Sequence, residues 1–164
     1  MVEYRIMRPA DIDAGLRLCR EANWNQLRRD WAFFLQSSPD ACAVAVSCDT
    51  VVGTVTTITY GDLFGWIGMV LVDRAFQRQG IGLGLLKESL RLLQDVETIK
   101  LDATPAGREV YVKLGFADEY RLSRMVGQFA SPFLSPGSRA RAITKQDWPL
   151  LLTFDRQVFG AGRE

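Results

Sequence analysis

The run Gln77-Arg78-Gln79-Gly80-Ile81-Gly82 is the segment best suited to chemistry, because two glycines stand where a strand pattern gives way to a helical one. The first turn of a helix carries backbone N–H groups with no intrahelical carbonyl to bond, and the helix dipole adds about half a positive charge there. Glycine lets a ligand approach that main chain without a Cβ in the way. The chemistry this predicts is capture of an anion, phosphate above all, on backbone amides, with Arg74 and Arg78 adding mobile charge beside it. An ordinary tight turn has the same composition, so the surroundings must decide. A nucleoside-triphosphate loop needs Gly-Lys-Ser or Gly-Lys-Thr, whereas Lys87 comes too late and precedes Glu88. A dinucleotide fingerprint fits Gly80, Gly82 and Asp102, but it needs a glycine where Leu85 stands and several parallel strands before the turn.

What the chain lacks narrows the chemistry further. None of its 164 residues is histidine, which removes Ser-His-Asp and Cys-His catalysis and most zinc sites. Proton transfer falls to carboxylate, tyrosine, thiol or water. Cys19, Cys42 and Cys48 are spaced unlike a metal knuckle or redox pair and sit in apolar surroundings, so buried, reduced thiols and no metal are expected. Twenty basic against nineteen acidic residues give a charge of +1, too little field for nucleic acid or an anionic membrane. Met1-Val2-Glu3-Tyr4-Arg5 has no apolar signal core, and nowhere do about eighteen apolar residues run together, so a cytoplasmic protein is expected. With 48% apolar and 24% charged residues the chain escapes disorder and can bury one core with some length left over.

Positioning that turn requires elements on both sides of it. Val2, Tyr4 and Ile6 alternate as one face of a strand; Pro9 and Asp11 then open a helix carrying Ile12, Leu16 and Cys19. A second amphipathic stretch after Asn25 predicts Leu27, Trp31, Phe34 and Leu35 as its buried stripe, ending at Pro39. The period then changes to two: Ala43 to Val46 and Val51 to Tyr60 form a hairpin about Cys48-Asp49-Thr50, and Tyr60-Gly61-Asp62 turns into a third strand, Phe64 to Val72. Ile81 to Val96 reads as a helix, Thr98 to Asp102 as a strand parallel to Phe64–Val72, and Pro105 to Gly115 as a short helix. Phe116 to Phe129 is expected as a last strand. The fold class is mixed α/β, a largely antiparallel sheet with one parallel pair, flanked by helices.

Ser131-Pro132-Phe133-Leu134-Ser135-Pro136-Gly137-Ser138 marks a linker, so the domains expected are residues 1–130, a linker over 131–138, and a tail over 139–164. The tail repeats the start of the chain: Arg141-Ala142-Ile143 followed by Asp147-Trp148 copies, 136 residues on, Arg5-Ile6-Met7 followed by Asp11-Ile12. Chance similarity of two amphipathic helices is the alternative. A genuine repeat opens an incomplete second domain, whose Trp148, Leu151, Leu152 and Phe159 need a covering surface on this chain or in a homodimer.

Val72 followed by Gln77, Gly80 and Gly82, together with Tyr111-Val112-Lys113-Leu114-Gly115-Phe116 downstream, resembles the GNAT superfamily of N-acetyltransferases over residues 1 to about 130. The run Leu101 to Arg108 is similar to members with two GNAT-like halves in tandem, of which this chain resembles the N-terminal half. The resemblance implies a GNAT-like fold with a splayed parallel pair, and acetyl-CoA as co-substrate. It also implies a pyrophosphate site at Arg78, Gln79, Gly80, Ile81, Gly82 and Leu83, a pantetheine arm along Val70, Leu71 and Val72, and further cofactor contacts at Gln77, Thr104, Gly107 and Arg108. An amine would attack the thioester directly, with the backbone N–H near Val72 stabilising the oxyanion and Tyr111 protonating the leaving thiolate. The acceptor, a small-molecule or peptide amine, is expected near Asn23, Trp24 and Trp66, where Trp24 serves equally well as packing. Two departures stand out: Thr104 replaces the family's frequent Asn, and Ile67 to Val70 offer no carboxylate base, leaving Asp62, Asp102 or water. A non-catalytic acyl-CoA-binding or regulatory module is the alternative.

Overall fold

The computed structural model describes residues 1–128 and 140–163. The chain divides into two compact units, Met1–Thr104 and the residues from Pro105 onward.

In the first unit the alternating segments become β1 (Val2–Ile6), β2 (Ala43–Ser47), β3 (Thr50–Tyr60), β4 (Phe64–Val72) and β5 (Thr98–Leu101), in the sheet order β1-β2-β3-β4-β5. The first three pairings are antiparallel and β4 with β5 is parallel, as the connections predict: tight turns join antiparallel neighbours, whereas a parallel pair needs a crossover helix. That crossover is α3 (Ile81–Leu92), while α1 (Ile12–Glu21) and α2 (Arg28–Ser37) lie between β1 and β2 in sequence. Met7, Ile12, Leu18, Cys19, Trp31, Cys42, Val44, Val51 and Leu71 form one buried cluster, with Trp31 wholly enclosed. Each such side chain is worth roughly 1.5–3 kcal/mol of burial. Helix α3 sits so close to the sheet that a Cβ on Gly53 would come within 2.9 Å of Leu85. That close seat carries the start of α3 to the end of β4.

Several expectations need correction. Leu27 is half exposed: it stands just before α2, where its N–H donates to the Asp30 carboxylate at 2.6 Å and its side chain leaves the buried stripe. Cys48 is exposed, not buried, since it and Asp49 form a hairpin tip at φ 47° and 60°, the paired left-handed conformation of a two-residue turn. Helix α3 stops at Leu92, four residues short of Val96, because Glu97 and Thr98 donate to the carbonyls of Asp62 and Leu63 and draw the chain into β5. Residues 117–128 form no strand and are exposed; alternation predicts a face to bury only where a neighbouring strand accepts the hydrogen bonds. The 131–138 linker and Phe129 lie outside the described residues.

The second unit contains α4 (Pro105–Lys113), closed by Gly115 at φ 93°, and α5 (Trp148–Phe159), entered through a single 3-10 turn at Lys145–Asp147.

Candidate active site

Strand β4 outruns its parallel partner. Pairing with β5 covers Phe64 to Ile67, so Gly68 to Val72 continue past Leu101 with no strand on that side among the described residues. On the other side, the register with β3 shifts: Thr54 faces Leu71 and Thr56 faces Gly68, leaving Met69 and Val70 opposite the single residue Val55. This is a β-bulge, which turns a strand and re-aims its polar groups. Met69 accordingly sits at φ 48°, and the fully buried Thr54 donates its hydroxyl to the Met69 carbonyl at 2.9 Å. Neither the bulge nor the Thr54 bond has a signature in residue type, and sequence reasoning missed both.

The chain leaves β4 through Asp73, whose carboxylate accepts from the Ala75 N–H at 3.0 Å and from Arg17 at 2.6 Å. Burial alone would raise the Asp73 carboxyl; these two donors bring it below its ordinary value. Arg17 also donates to the Val51 carbonyl and to Glu21, so the end of α1 is tied to the end of β4. Arg74, expected to be mobile charge, instead donates to the Glu21 carbonyl at 2.5 Å.

Beyond it the turn rests on Gln77, which donates to the Val72 carbonyl at 3.2 Å, and Gln79, which donates to the Ala75 carbonyl at 3.2 Å. Arg78 and Gly80 take left-handed conformations at φ 59° and 82°; at Gly80 this conformation begins α3 without strain and without a capping side chain. The first helical bond runs from the Gly84 N–H to the Gly80 carbonyl, so the N–H groups of Ile81, Gly82 and Leu83 have no intrahelical acceptor. Ile81 is buried and anchors the turn, Leu83 is exposed, and a Cβ on Gly82 would lie 3.6 Å from Val72. An unpaired strand edge and an uncapped helix start therefore meet at Val72. Together they offer backbone donors along a line that ends in a partial positive charge.

Asn23 is exposed at φ 58° just past α1, where its N–H donates to the Arg20 carbonyl; Trp24 is half-buried against the core cluster, and Trp66 is half-buried on β4 opposite Ile58 and Lys100. Asp62, Asp102 and Thr104 are exposed. Gly107, Arg108 and Tyr111 belong to the second unit. There the Tyr111 ring lies back along α4 so closely that a Cβ on Gly107 would be 3.0 Å from it, and it meets the Phe116 ring at 6.1 Å between centroids. Burial pushes the Tyr111 phenol above its ordinary value, so it holds its proton at neutral pH. Arg108 donates to both oxygens of Asp118, at 2.5 to 3.1 Å, a bidentate pair that competes with any role toward a phosphate.

Among the described residues no group of three or more acidic or cysteine side chains gathers as a metal site, and no helix is long and apolar enough to cross a membrane.

The first unit is thus a mixed five-stranded sheet with one parted parallel pair, whose longer strand runs on into a glycine turn. Residues 10–116 match the acetyltransferase (GNAT) family, and the chain belongs to it. It is 30% identical over 115 residues to holothin acyltransferase of Pseudoalteromonas sp. (strain SANK 73390), covering 70% of this chain and 38% of that protein. It is 25% identical over 150 residues to the uncharacterized N-acetyltransferase YitH of Bacillus subtilis (strain 168), covering 90% of this chain and 52% of that one. The chain thus spans about half the length, or less, of these relatives. A Pyrococcus horikoshii protein crystallised as a candidate acetyltransferase superposes with a TM-score of 0.76 at 26% identity, over 99% of this chain and 58% of its own. A Clostridium acetobutylicum protein crystallised with acetyl-CoA shares the fold at a TM-score of 0.62 and 18% identity, over 77% of this chain and 96% of its own.

Proposed function

We propose that the chain transfers an acetyl group from acetyl-CoA to a primary amine, carried by a small molecule or a peptide. The observation that carries this reading is the meeting, at Val72, of the open β4 edge with the uncapped amides of Ile81 to Leu83. A pantetheine arm bonds to such an edge as a missing strand would, from Val70 through Leu71 to Val72, and its pyrophosphate takes the amides from Arg78 to Leu83. The family resemblance adds cofactor contacts at Thr104, Gly107 and Arg108, the last only on leaving Asp118, and puts Asn23, Trp24 and Trp66 on the acceptor side. The amine nitrogen attacks the acyl carbon, forming the C–N bond. The backbone N–H near Val72 holds the oxygen as it becomes negative. The C–S bond breaks, the departing thiolate takes the Tyr111 proton, and the ammonium proton leaves to water or to Asp62 or Asp102.

Free thiol release from acetyl-CoA, measured with a panel of primary amines, tests this reading. Turnover is expected with at least one acceptor; Gly80→Asp abolishes coenzyme A binding in calorimetry, and Tyr111→Phe lowers turnover while binding persists. A second reading, a module that binds acyl-CoA without turning it over, is favoured by the absence of a carboxylate on β4 and by the commitment of Arg108 to Asp118. Acetyl-CoA binding with no turnover across the panel would select it.

The tail supports a further reading. Its Arg141–Asp147 pair and the helix that follows repeat the Arg5–Asp11 start of the domain, consistent with a second GNAT-like copy or with pairing of two chains through the apolar side of α5. Light scattering on the whole chain and on a version ending at Ser131 tests the pairing: a mass that falls by more than half on truncation supports it, and monomer masses for both remove it.

A further inference from the structure

The bulge in β4 sets an orientation that the ladder alone leaves free. A bulged residue has no opposite number, so its carbonyl loses its regular ladder partner, and a buried carbonyl without a donor costs about 1–3 kcal/mol. Here Thr54, wholly buried in β3, supplies the donor: its Oγ1 lies 2.9 Å from the Met69 oxygen. Because the peptide is planar and trans, the N–H on the far side of that carbonyl points the opposite way. That N–H belongs to Val70. With the Met69 carbonyl held toward β3, the Val70 N–H leads toward the other side of β4, where pairing with β5 has already ended at Ile67. We infer that the Thr54 hydroxyl is a positioning group for acyl transfer: by holding the Met69 carbonyl it aims the Val70 N–H at the thioester oxygen of a substrate lying along the open edge.

This rests on the acyl-transfer reading above and adds to it a side chain on a different strand, which touches neither substrate nor cofactor. Thr54 pins one peptide plane, and that plane carries the donor. A left-handed methionine is a strained conformation, of order 1–3 kcal/mol, and persists only where the surroundings hold it. Without the hydroxyl the 69–70 peptide is free to rotate, and the donor drifts from its line to the oxygen, the kind of preorganisation whose loss costs rate more than binding.

Two substitutions separate aiming from packing. Thr54→Val keeps the shape and loses the hydroxyl; Thr54→Ser keeps the hydroxyl and loses a methyl. The full chain is assayed by thiol release from acetyl-CoA with whichever amine of the panel turns over fastest, alongside thermal unfolding and the infrared carbonyl band of bound carbon-13-labelled acetyl-CoA. Thr54→Val is expected to lower kcat by about 10- to 100-fold, to leave the KM for acetyl-CoA within about twofold, and to move the carbonyl band toward its free-solution position. Thr54→Ser is expected to keep kcat and band near wild type while melting somewhat lower, so rate does not follow stability across the two variants. A Thr54→Val enzyme with wild-type kcat and band overturns the inference, as does a Thr54→Ser enzyme whose rate falls with its melting temperature, even if the valine variant fails to fold. If the wild-type chain neither binds nor consumes acetyl-CoA, the acyl-transfer reading fails and the inference falls with it; if wild type turns over and the variants do not separate, only the inference fails.

Discussion

Residues 1–23 and 140–160 build one local device twice. At the start of the chain Arg5 donates to both oxygens of Asp11 at 2.7 and 2.9 Å and to the Ile6 carbonyl at 3.1 Å, while the Arg8 N–H donates to Asp11 at 2.7 Å. In the tail Arg141 donates to both oxygens of Asp147 at 2.7 and 2.5 Å and to the Ala142 carbonyl at 3.1 Å, while the Thr144 N–H donates to Asp147 at 2.7 Å. Each clasp is followed by a 3-10 turn and a helix, and each helix is closed by a left-handed residue, Asn23 or Gly160. The environments differ completely. Met7, Ile12 and Leu18 are buried in the core, whereas their counterparts Ile143, Trp148 and Phe154 are 62%, 53% and 62% exposed. The difference teaches that an arginine, an aspartate six residues later and an amphipathic run suffice for the local shape. Burial has to come from the sheet that the following hairpins supply.

The comparison breaks hardest at Gly15 and Leu151, which occupy equivalent positions. A Cβ on Gly15 would stand 2.9 Å from the Trp31 ring, so Gly15→Leu, which copies the tail residue into the core, is expected to cost more than about 3 kcal/mol and to unfold much of the first unit. Leu151→Gly is expected to leave its melting temperature unchanged. Thermal unfolding of both variants checks this, and equal effects would dissolve the contrast.

Asp11→Ala comes next, with an expected loss of about 2–3 kcal/mol from the charge-assisted bonds to Arg5 and Arg8. Burial would raise the Asp11 carboxyl, but Arg5 and the Arg8 N–H hold it below its ordinary value. A carboxyl lowered on folding stabilises the fold above its unfolded pKa, near 3.8, and that stabilisation disappears as pH falls through the lower folded value. Unfolding in urea at pH 7 and in steps below pH 4 is therefore expected to show the wild-type advantage over Asp11→Ala narrowing with acid. An advantage constant with pH would remove the charge from the account.

Smaller effects belong to the tail. Replacing Trp148 and Phe154 together by serine is expected to leave the first unit's melting temperature within a degree or so, since exposed substitutions move stability by about 0.5 kcal/mol or less. The same variant is expected to lower self-association at high concentration, read by light scattering. Asp147→Ala is smallest of all: no change in global unfolding, and faster amide exchange near Thr144 to Asp147 as the clasp is lost. A global destabilisation would mean that the tail's clasp bears on the core after all.

Much of this was legible in the residues themselves. Turn chemistry and β-branched runs placed the hairpins within a residue or two, and the need for a crossover made β4 and β5 parallel. The glycine turn was legible because Gly80 must take a positive φ and because glycines at a helix start leave amides bare. Less was legible where a residue's role depends on distant neighbours. Leu27 fits the apolar stripe of α2 by spacing yet stands outside it, Arg74 looked free yet is bonded to Glu21, and alternation after Phe116 predicted a strand that the described residues do not form.

Local order, then, was largely written into the chain: the helices, the hairpin turns, the repeated Arg–Asp spacing and the amide turn follow from interactions within a few residues, which spacing and residue type reveal. The tertiary structure alone decided that the splayed pair implied by the resemblance would part at Ile67, that Met69 would bulge into a left-handed conformation under the Thr54 hydroxyl, and that the apolar side chains of one copy would be buried and those of the other exposed. Each of these depends on which strand end stands beside which, a relation between segments far apart in sequence. No local periodicity encodes it.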